Sequence, residues 1–173
     1  EYPEKAEKYK LFFIARVMRD KGIYEYIEVA KILTKKRRDV EFHVMGFCEE
    51  GYLDEIKRWE QSGFIIYHGQ QMNPQEYMKA MHVLIHPSYS EGISNVCLEA
   101  AATGRPIIAS NIPGCVETFD EGVSGFGFEA GNAKDLLNKI EAFLDIPHEK
   151  KASMGIAGRN KVEKLFSREI VVN

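Results

Sequence analysis

Short apolar runs alternate with segments of helical periodicity along the whole chain. Continuous apolar runs of four to seven residues predict buried strands. These strands are expected over Lys10–Ala15, Val40–Met45, Phe64–His68, His82–His86, Pro106–Ala109 and Gly125–Phe128. Apolar residues recurring every three or four positions predict amphipathic helices. These helices are expected over Lys21–Arg38, Gly51–Ser62, Pro74–Met81, Ser94–Thr103, Cys115–Phe119 and Asn132–Asp145. Pro147 opens a last helical region, which Gly155 and Gly158 are expected to split.

The alternation of strands and helices determines the predicted fold class. Strands that are apolar throughout are typical of a parallel sheet with helices on both faces. We therefore predict a doubly wound, Rossmann-like α/β domain, and the length favours a single domain over residues 1–173. Such folds bind ligands at the carboxyl ends of the strands, near the topological switch point. The segments that follow the strands are therefore the places to look for chemistry.

Composition excludes several classes of protein. The chain of 173 residues carries 26 acidic and 23 Lys and Arg side chains, for a formal charge of −3. This weakly acidic balance argues against general nucleic-acid binding, and the 45% apolar content excludes disorder. Apolar runs such as Leu11–Ala15 are far shorter than the roughly 18 residues of a membrane span. Three cysteines, Cys48, Cys97 and Cys115, match no metal or disulfide pattern and are typical of reduced thiols in a cytosolic protein.

Several common functional motifs are missing. There is no phosphate-binding Walker loop. Gly125-Phe126-Gly127 begins like a dinucleotide fingerprint, but Ala130 stands where the third glycine belongs. The histidines have no metal-ligand spacing, and we expect core or surface roles for them. These histidines are His43, His68, His82, His86 and His148.

Two cations follow the first predicted strand. Arg16 lies at the strand end and Lys21 at the start of the next helix. Two cations in this position could clamp an anionic ligand. A solvated basic loop is the alternative interpretation.

The segment after the fourth strand carries two carboxylates and a helix start. Glu91 precedes the helix and Glu99 lies in its second turn, with Ser94 or Asn95 at the capping position. Free amides at a helix N-terminus bind anions, and carboxylates can accept hydrogen bonds from the hydroxyls of a diol. Glu99 could equally be an ordinary surface charge. Glu117, in the first turn of the next short helix, is interpreted as structural, because a carboxylate there stabilises the helix dipole.

Ordered segments of the sequence resemble a known family. The matching segments are Phe13–Arg16 with Lys21-Gly22, Pro87-Ser88 with Glu91-Gly92 and Glu99-Ala100, Gly104–Ala109, Gly114–Glu117, Gly122–Phe126 and Phe166-Ser167, the last as the start of a terminal helix. Together they resemble the C-terminal, donor-binding domain of retaining GT-B glycosyltransferases, family 4. Two departures are Ala15, where the family usually has glycine, and Gly46-Phe47-Cys48, where it often has Gly-x-Gly.

The resemblance implies roles for individual residues. Arg16 and Lys21 would bind the diphosphate of a nucleotide-sugar, and Glu91 would contact the transferred sugar; these three are the expected catalytic residues. Glu99 would hold the ribose hydroxyls. The amides of Ser94, Asn95 and Val96 would face phosphate, and Gly92 and Ile93 complete the expected substrate contacts. The two cations and the helix dipole would make a metal cofactor unnecessary.

The resemblance also implies a reaction and its partners. A hexose would move from a nucleotide diphosphate-sugar, with UDP favoured over GDP-mannose, to a saccharide or lipid-linked acceptor. A role in bacterial capsule or other surface polysaccharide synthesis is expected, in the cytoplasm or at the inner face of the membrane. The acceptor-binding N-terminal domain is absent from this sequence, so we expect the chain to be inactive alone.

Other interpretations stay open at this point. An epimerase-like enzyme acting on sugar nucleotides and a non-catalytic GT-B-like binding module would share the architecture. A phosphate-responsive signalling module is disfavoured, because its first strand should end in acidic residues and this one ends in Ala15-Arg16.

Overall fold

The first strand of the chain lies near the middle of a single sheet. The computed structural model describes residues 1–172, and side chains through Phe166. The strands are β1 (Tyr9–Ile14), β2 (Val40–Met45), β3 (Ile66–Tyr67), β4 (Val83–His86), β5 (Ile107–Ser110) and β6 (Gly125–Phe128). They are all parallel and lie in the order β3-β2-β1-β4-β5-β6.

Helices cover both faces of this sheet. They are α1 (Ile23–Lys36), α2 (Leu53–Gln61), α3 (Pro74–Ala80), α4 (Asn95–Ala102), α5 (Ala133–Asp145) and α6 (His148–Val172). Buried residues of α1, α2 and α5 share one core with the sheet, and those of α3, α4 and α6 share the other. The predicted doubly wound α/β architecture is therefore confirmed. Among the described residues, no helix is both long and apolar enough to cross a lipid bilayer.

The strand order creates one topological switch point. From β1 the chain winds outward through β2 and β3, and it then returns to place β4 on the other side of β1. The connections after β1 and after β4 therefore diverge, and a crevice opens between the carboxyl ends of these two strands. Both segments that carry the candidate charges leave the sheet at this crevice.

The predicted boundaries need three local corrections. The third strand is only Ile66–Tyr67, and the helix expected at Cys115–Phe119 is a single 3-10 turn at Val116–Thr118. The first helix begins at Ile23 instead of Lys21, after a separate 3-10 turn at Arg19–Lys21. A short pattern of apolar residues does not separate one turn from a helix, because both place every third or fourth residue on the same side.

The prediction that glycines split the last helix is wrong. The helix α6 is continuous, and Phe166-Ser167 lies inside it instead of at its start. A Cβ at position 155 would lie 2.0 Å from the carbonyl oxygen of Gly104, so Gly155 allows α6 to approach the end of α4 closely. Tertiary packing of this kind outweighs the roughly 1 kcal/mol that a glycine costs in a helix.

Arg105 joins the ends of two helices beneath the sheet. Its side chain is 2% exposed, and its guanidinium donates hydrogen bonds to the carbonyl oxygens of Met78 and Lys79 at the end of α3 and of Thr103 and Gly104 after α4. Carbonyls at a helix end have no partner within the helix and carry partial negative charge. The planar fork of arginine therefore satisfies several of them at once.

Replacing Arg105 with lysine is expected to destabilise the domain by about 2–4 kcal/mol, because a single ammonium cannot reach both helix ends and leaves buried carbonyls without donors. Urea denaturation followed by circular dichroism measures this loss. Arg159→Lys is the matched control, since Arg159 forms an exposed ion pair with Glu163 on α6 and its replacement should change stability by less than about 0.5 kcal/mol. Equal effects of the two replacements would contradict the role of Arg105.

Candidate functional site

Two adjoining cavities open at the carboxyl end of the sheet. One, of about 240 Å³, is lined by residues from the β1–α1 and β4–α4 connections, among them Arg16, Lys21 and Glu91. The other, of about 460 Å³, lies between the connections after β1 and β2 and is lined in part by Gln70 and Gln71. The two cavities share the end of β1, including Arg16. The switch point of the sheet is therefore an open cleft with cations at its centre.

Close backbone packing brings the two charged connections together. Gly22 has a φ of +80°, and a Cβ there would lie 2.0 Å from the carbonyl oxygen of Pro87. This left-handed glycine ends the 3-10 turn that carries Lys21 and presses it against the connection after β4. As a result the Lys21 Nζ lies 3.3 Å from Glu91 Oε1, although 70 residues separate them.

Each of the two predicted phosphate-binding cations has a carboxylate partner. Besides the contact between Lys21 and Glu91, the Arg16 Nη1 donates to Glu49 Oε1 at 3.1 Å. The Arg16 and Glu49 side chains are 63% and 36% exposed, whereas those of Lys21 and Glu91 are 29% and 15% exposed. The second pair is therefore less screened by water, and its electrostatic coupling is the stronger.

Glu91 is held by a second residue from the end of β4. The His86 Nε2 lies 2.9 Å from Glu91 Oε1, the same oxygen that Lys21 contacts. The hydrogen bond from His86, with smaller contributions from a Ser88 hydrogen bond and the Lys21 charge, lowers the pKa of Glu91 to about 2 although partial burial opposes this shift. Glu91 is therefore ionised at neutral pH. Because a carboxylate only accepts hydrogen bonds, the proton of this contact lies on His86 Nε2.

The N-terminus of α4 forms one wall of the smaller cavity. Ser94 is the N-cap, and its hydroxyl accepts a hydrogen bond from the Cys97 amide. The Ser94 amide donates to the Gly114 carbonyl at 2.9 Å, so it is already engaged and does not fill the phosphate-facing role expected from the sequence. The Asn95 and Val96 amides have no hydrogen-bond partner within the part of the chain that the structure describes. These two amides remain available at the cavity as hydrogen-bond donors to an anion.

The connection after β5 supports the loop that carries Glu91. Gly114 has a φ of +91°, and a Cβ there would lie 2.3 Å from the carbonyl oxygen of Gly92. The Glu117 carboxylate accepts a hydrogen bond from the Gly114 amide at 2.7 Å. Glu117 therefore stabilises the turn that supports the site, in keeping with the structural role expected for it.

The remaining expected contacts lie at the rim. Ile93 is 47% exposed and lines the smaller cavity, and Gly92 is exposed beside it. Glu99 is exposed on α4 and lines neither cavity. The structure thus brings Arg16, Lys21 and Glu91 together, while the proposed ribose contact of Glu99 stays a prediction.

Sequence reasoning missed the partners of the site charges. Glu49 follows β2 and lies 33 residues from Arg16, and no local motif marks it. His86 was expected to have a core or surface role, and it is buried yet contacts Glu91. Its position as the last residue of β4, at the switch point, was the one available signal.

One buried cluster next to the site contains potential metal ligands. Within the described residues, ligand atoms of His86, Cys97 and Cys115 lie within 4.8 Å of one another, and all three residues are buried. Burial raises the pKa of the Cys97 thiol well above its ordinary value, which opposes the thiolate that a metal requires. We therefore interpret the cluster as core packing around His86.

The Glu49 carboxylate neutralises part of the positive charge of Arg16, so it should compete with an anionic ligand for Arg16. Glu49→Gln is expected to raise the affinity for an anionic ligand, with inorganic pyrophosphate as the probe, about two- to fivefold, since an exposed ion pair contributes up to about 1 kcal/mol. Isothermal titration calorimetry measures the change. Glu50→Gln is the control, because Glu50 neighbours Glu49 but lines neither cavity. A loss of affinity in Glu49→Gln would show instead that Glu49 holds Arg16 in place for the ligand.

Comparison with known proteins identifies the class to which this fold and cleft belong. Residues 1–161 match the family described as glycosyl transferases group 1, and the chain belongs to that family. It is 30% identical over 168 residues to the capsular polysaccharide biosynthesis glycosyltransferase CapM of Staphylococcus aureus, covering 95% of this chain and 44% of CapM. It is 32% identical to an N,N'-diacetylbacillosaminyl-diphospho-undecaprenol alpha-1,3-N-acetylgalactosaminyltransferase of Campylobacter jejuni, covering 78% of this chain and 35% of that protein. The chain thus spans less than half the length of these curated relatives.

Solved structures share the fold at lower identity. HepE of Anabaena, in complex with UDP and glucose, superposes with a TM-score of 0.83 at 20% identity, over 96% of this chain and 48% of HepE. The C-terminal domain of the group 1 glycosyltransferase LpcC of Francisella tularensis superposes with a TM-score of 0.81 at 22% identity, over 95% of both chains. The fold of the chain is therefore that of one Rossmann-like half of a GT-B glycosyltransferase.

Proposed function

We propose that this chain is the donor-binding half of a retaining family 4 glycosyltransferase. The complete enzyme would transfer a hexose from a nucleotide diphosphate-sugar to a saccharide or lipid-linked acceptor, which a separate acceptor-binding domain would hold. The observation that carries the proposal is the cleft at the switch point, where Arg16, Lys21 and two free amides of α4 surround one cavity. The relatives are transferases, so the epimerase-like and non-catalytic alternatives are not favoured.

The charges of the cleft suit a diphosphate. Arg16 and Lys21 form ion pairs with Glu49 and Glu91. A nucleotide diphosphate-sugar brings about two negative charges, and Arg16 could exchange its exposed Glu49 partner for a phosphate oxygen while Glu49 turns to water. The same groups would stabilise the leaving diphosphate as negative charge builds on it, which is the main catalytic contribution of this half.

The nucleoside would extend from the diphosphate into the larger cavity beside Gln70 and Gln71. We propose UDP as the favoured nucleotide, with GDP-mannose as the next candidate donor. Support for UDP comes from HepE, whose structure holds UDP and glucose. We further propose a metal-independent reaction, because Arg16, Lys21 and the α4 dipole would supply the positive charge that a divalent cation supplies elsewhere.

The biological setting is proposed from the relatives. CapM is named for capsular polysaccharide biosynthesis, and the Campylobacter relative for a diphospho-undecaprenol acceptor. A role in bacterial surface polysaccharide synthesis follows, with the complete protein in the cytoplasm or in peripheral contact with the inner face of the membrane.

Calorimetric titration of this chain with UDP, GDP and ADP, each in EDTA and again with Mg²⁺, tests the proposal. We expect UDP to bind in EDTA with an affinity that Mg²⁺ changes less than threefold. A preference for GDP would support the donor site and change the nucleotide. Strict dependence on Mg²⁺ would contradict metal independence, and failure of every nucleotide to bind would contradict the donor-binding role.

A further inference from the structure

His86 lines the buried side of the smaller cavity and contacts Glu91, which is the more exposed of the two. Its side chain is 4% exposed, against 15% for Glu91. It is the last residue of β4, and its side chain points to the α4 side of the sheet, where Cys97 and Cys115 pack near it. The ring is thus fixed by the rigid end of a central strand and by core side chains, without depending on the loop above it.

The connection from β4 to α4 folds back over this ring. Ser88 is fully buried, and its hydroxyl donates to the Ser90 carbonyl at 3.1 Å, which closes the loop. Glu91, five residues after His86, returns to lie 2.9 Å from His86 Nε2. Both this contact and that of Lys21 fall on Glu91 Oε1 and hold the carboxylate from one side.

We propose that His86 is a positioning residue, which fixes the Glu91 carboxylate in the orientation that recognises a hydroxyl of the donor sugar. The inference rests on the proposed function and assigns His86 a part in it. A glutamate on a loop samples several rotamers. A glutamate whose carboxylate is held by a hydrogen bond from a buried side chain presents the same oxygen to every ligand. Lys21 cannot provide this anchor in the liganded state if it moves to the diphosphate, whereas His86 stays in place.

Two replacements of His86 separate anchoring from packing. His86→Leu fills the same core space without a donor, and His86→Gln keeps an N–H at a similar reach to Nε2. If His86 only fills core space, the two variants should bind the UDP-sugar equally well, or His86→Leu should bind it better. If His86 anchors Glu91, His86→Gln should keep the binding that His86→Leu loses.

The first measurement follows the Glu91 carboxyl itself, by a ¹³C NMR pH titration of the chain without ligand. In the parent chain its pKa should be near 2, because His86 donates the leading hydrogen bond. In His86→Leu it should rise toward the ordinary glutamate value of roughly 4.3 or beyond. In His86→Gln it should remain below that value. An unchanged Glu91 pKa in His86→Leu would overturn the proposal.

The second measurement compares UDP with a panel of UDP-sugars (glucose, galactose and their N-acetylated forms) on each variant. The ratio of the affinity for the best UDP-sugar to the affinity for UDP should fall about tenfold in His86→Leu and be largely kept in His86→Gln. A tenfold fall is the size expected for loss of a hydrogen bond to a charged group. UDP affinity itself should change less than threefold in both. Failure of the parent chain to bind UDP would overturn the proposed function and this inference with it. Two outcomes would overturn this inference alone. In the first, the parent chain binds UDP but no UDP-sugar more tightly than UDP. In the second, His86→Leu leaves the added affinity of the UDP-sugar unchanged.

Discussion

Replacing Lys21 with alanine is expected to weaken UDP binding by about a hundredfold, the largest loss that a single substitution in the cleft should cause. A charge-assisted hydrogen bond to phosphate contributes roughly 1.5–3 kcal/mol, which corresponds to about ten- to a hundredfold in affinity. Lys21 should reach the upper end, because its removal also leaves the ionised, largely buried Glu91 carboxylate facing the diphosphate. Arg16→Ala should cost about tenfold, since Arg16 and Glu49 are more exposed and water screens the carboxylate that remains.

The order of the two effects is the critical part of this result. Calorimetry on Lys21→Ala, Arg16→Ala and the double variant Lys21→Ala, Glu91→Gln measures it, and the double variant should recover about tenfold of the loss. Arg38→Ala is the control for lost positive charge, because Arg38 is exposed beyond the opposite, amino-terminal end of β2. If Arg38→Ala weakened UDP binding as much as Lys21→Ala, general electrostatic attraction would explain the data and a clamp at the switch point would not.

The fold was predictable because burial on both faces leaves a strong mark on sequence. The strand Val40–Met45 is predicted to the residue although Glu41 and His43 interrupt its apolar run, because its other four positions are apolar and buried. The errors fall where tertiary contacts override local preference. Gly155 would weaken an isolated helix, but here it allows a contact between α6 and Gly104 that no local pattern reveals.

The candidate site was predictable only to the level of single charges. Topology alone places Arg16, Lys21 and Glu91 at one crevice, because parallel strands end at the same edge. The partners of these charges depend on side-chain contacts across 33 and 70 residues, which a single sequence does not encode in any local spacing. The Ser94 amide was misassigned for the same reason, since its acceptor is the carbonyl of Gly114 on a different connection.

The ion pairs of the cleft suggest which residues would provide affinity and which would provide recognition. Arg16 is bound to an exposed carboxylate that a phosphate can replace, whereas Glu91 is anchored from below by His86. The first arrangement favours exchange and the second favours a fixed geometry. We therefore expect the diphosphate to provide most of the affinity and Glu91 to provide selectivity among sugars.

Neutralising Glu91 should raise the affinity for UDP and lower the additional affinity that the sugar provides. Glu91→Gln removes a negative charge 3.3 Å from Lys21, so UDP should bind about three- to tenfold more tightly, in line with relief of a partly buried ion pair. The same change removes the carboxylate that is proposed to accept a sugar hydroxyl, so the gain in affinity from UDP to the preferred UDP-sugar should disappear. Parallel calorimetric titrations with UDP and the UDP-sugar panel measure both effects.

Glu99→Gln is the matched control for this experiment, because it neutralises a second carboxylate of the same segment that is expected to bind the ribose. Its effect should be a loss of about five- to twentyfold that is equal for UDP and UDP-sugar, since both ligands contain the ribose. An equal loss for both ligands in Glu91→Gln would instead move Glu91 to the nucleotide and remove its role at the sugar. If Glu99→Gln lowered the affinity for the UDP-sugar alone, Glu99 and not Glu91 would be the residue that contacts the sugar. The proposed donor cleft therefore predicts that Glu91→Gln strengthens UDP binding while it removes the gain from the sugar, and that Glu99→Gln weakens the binding of both ligands equally.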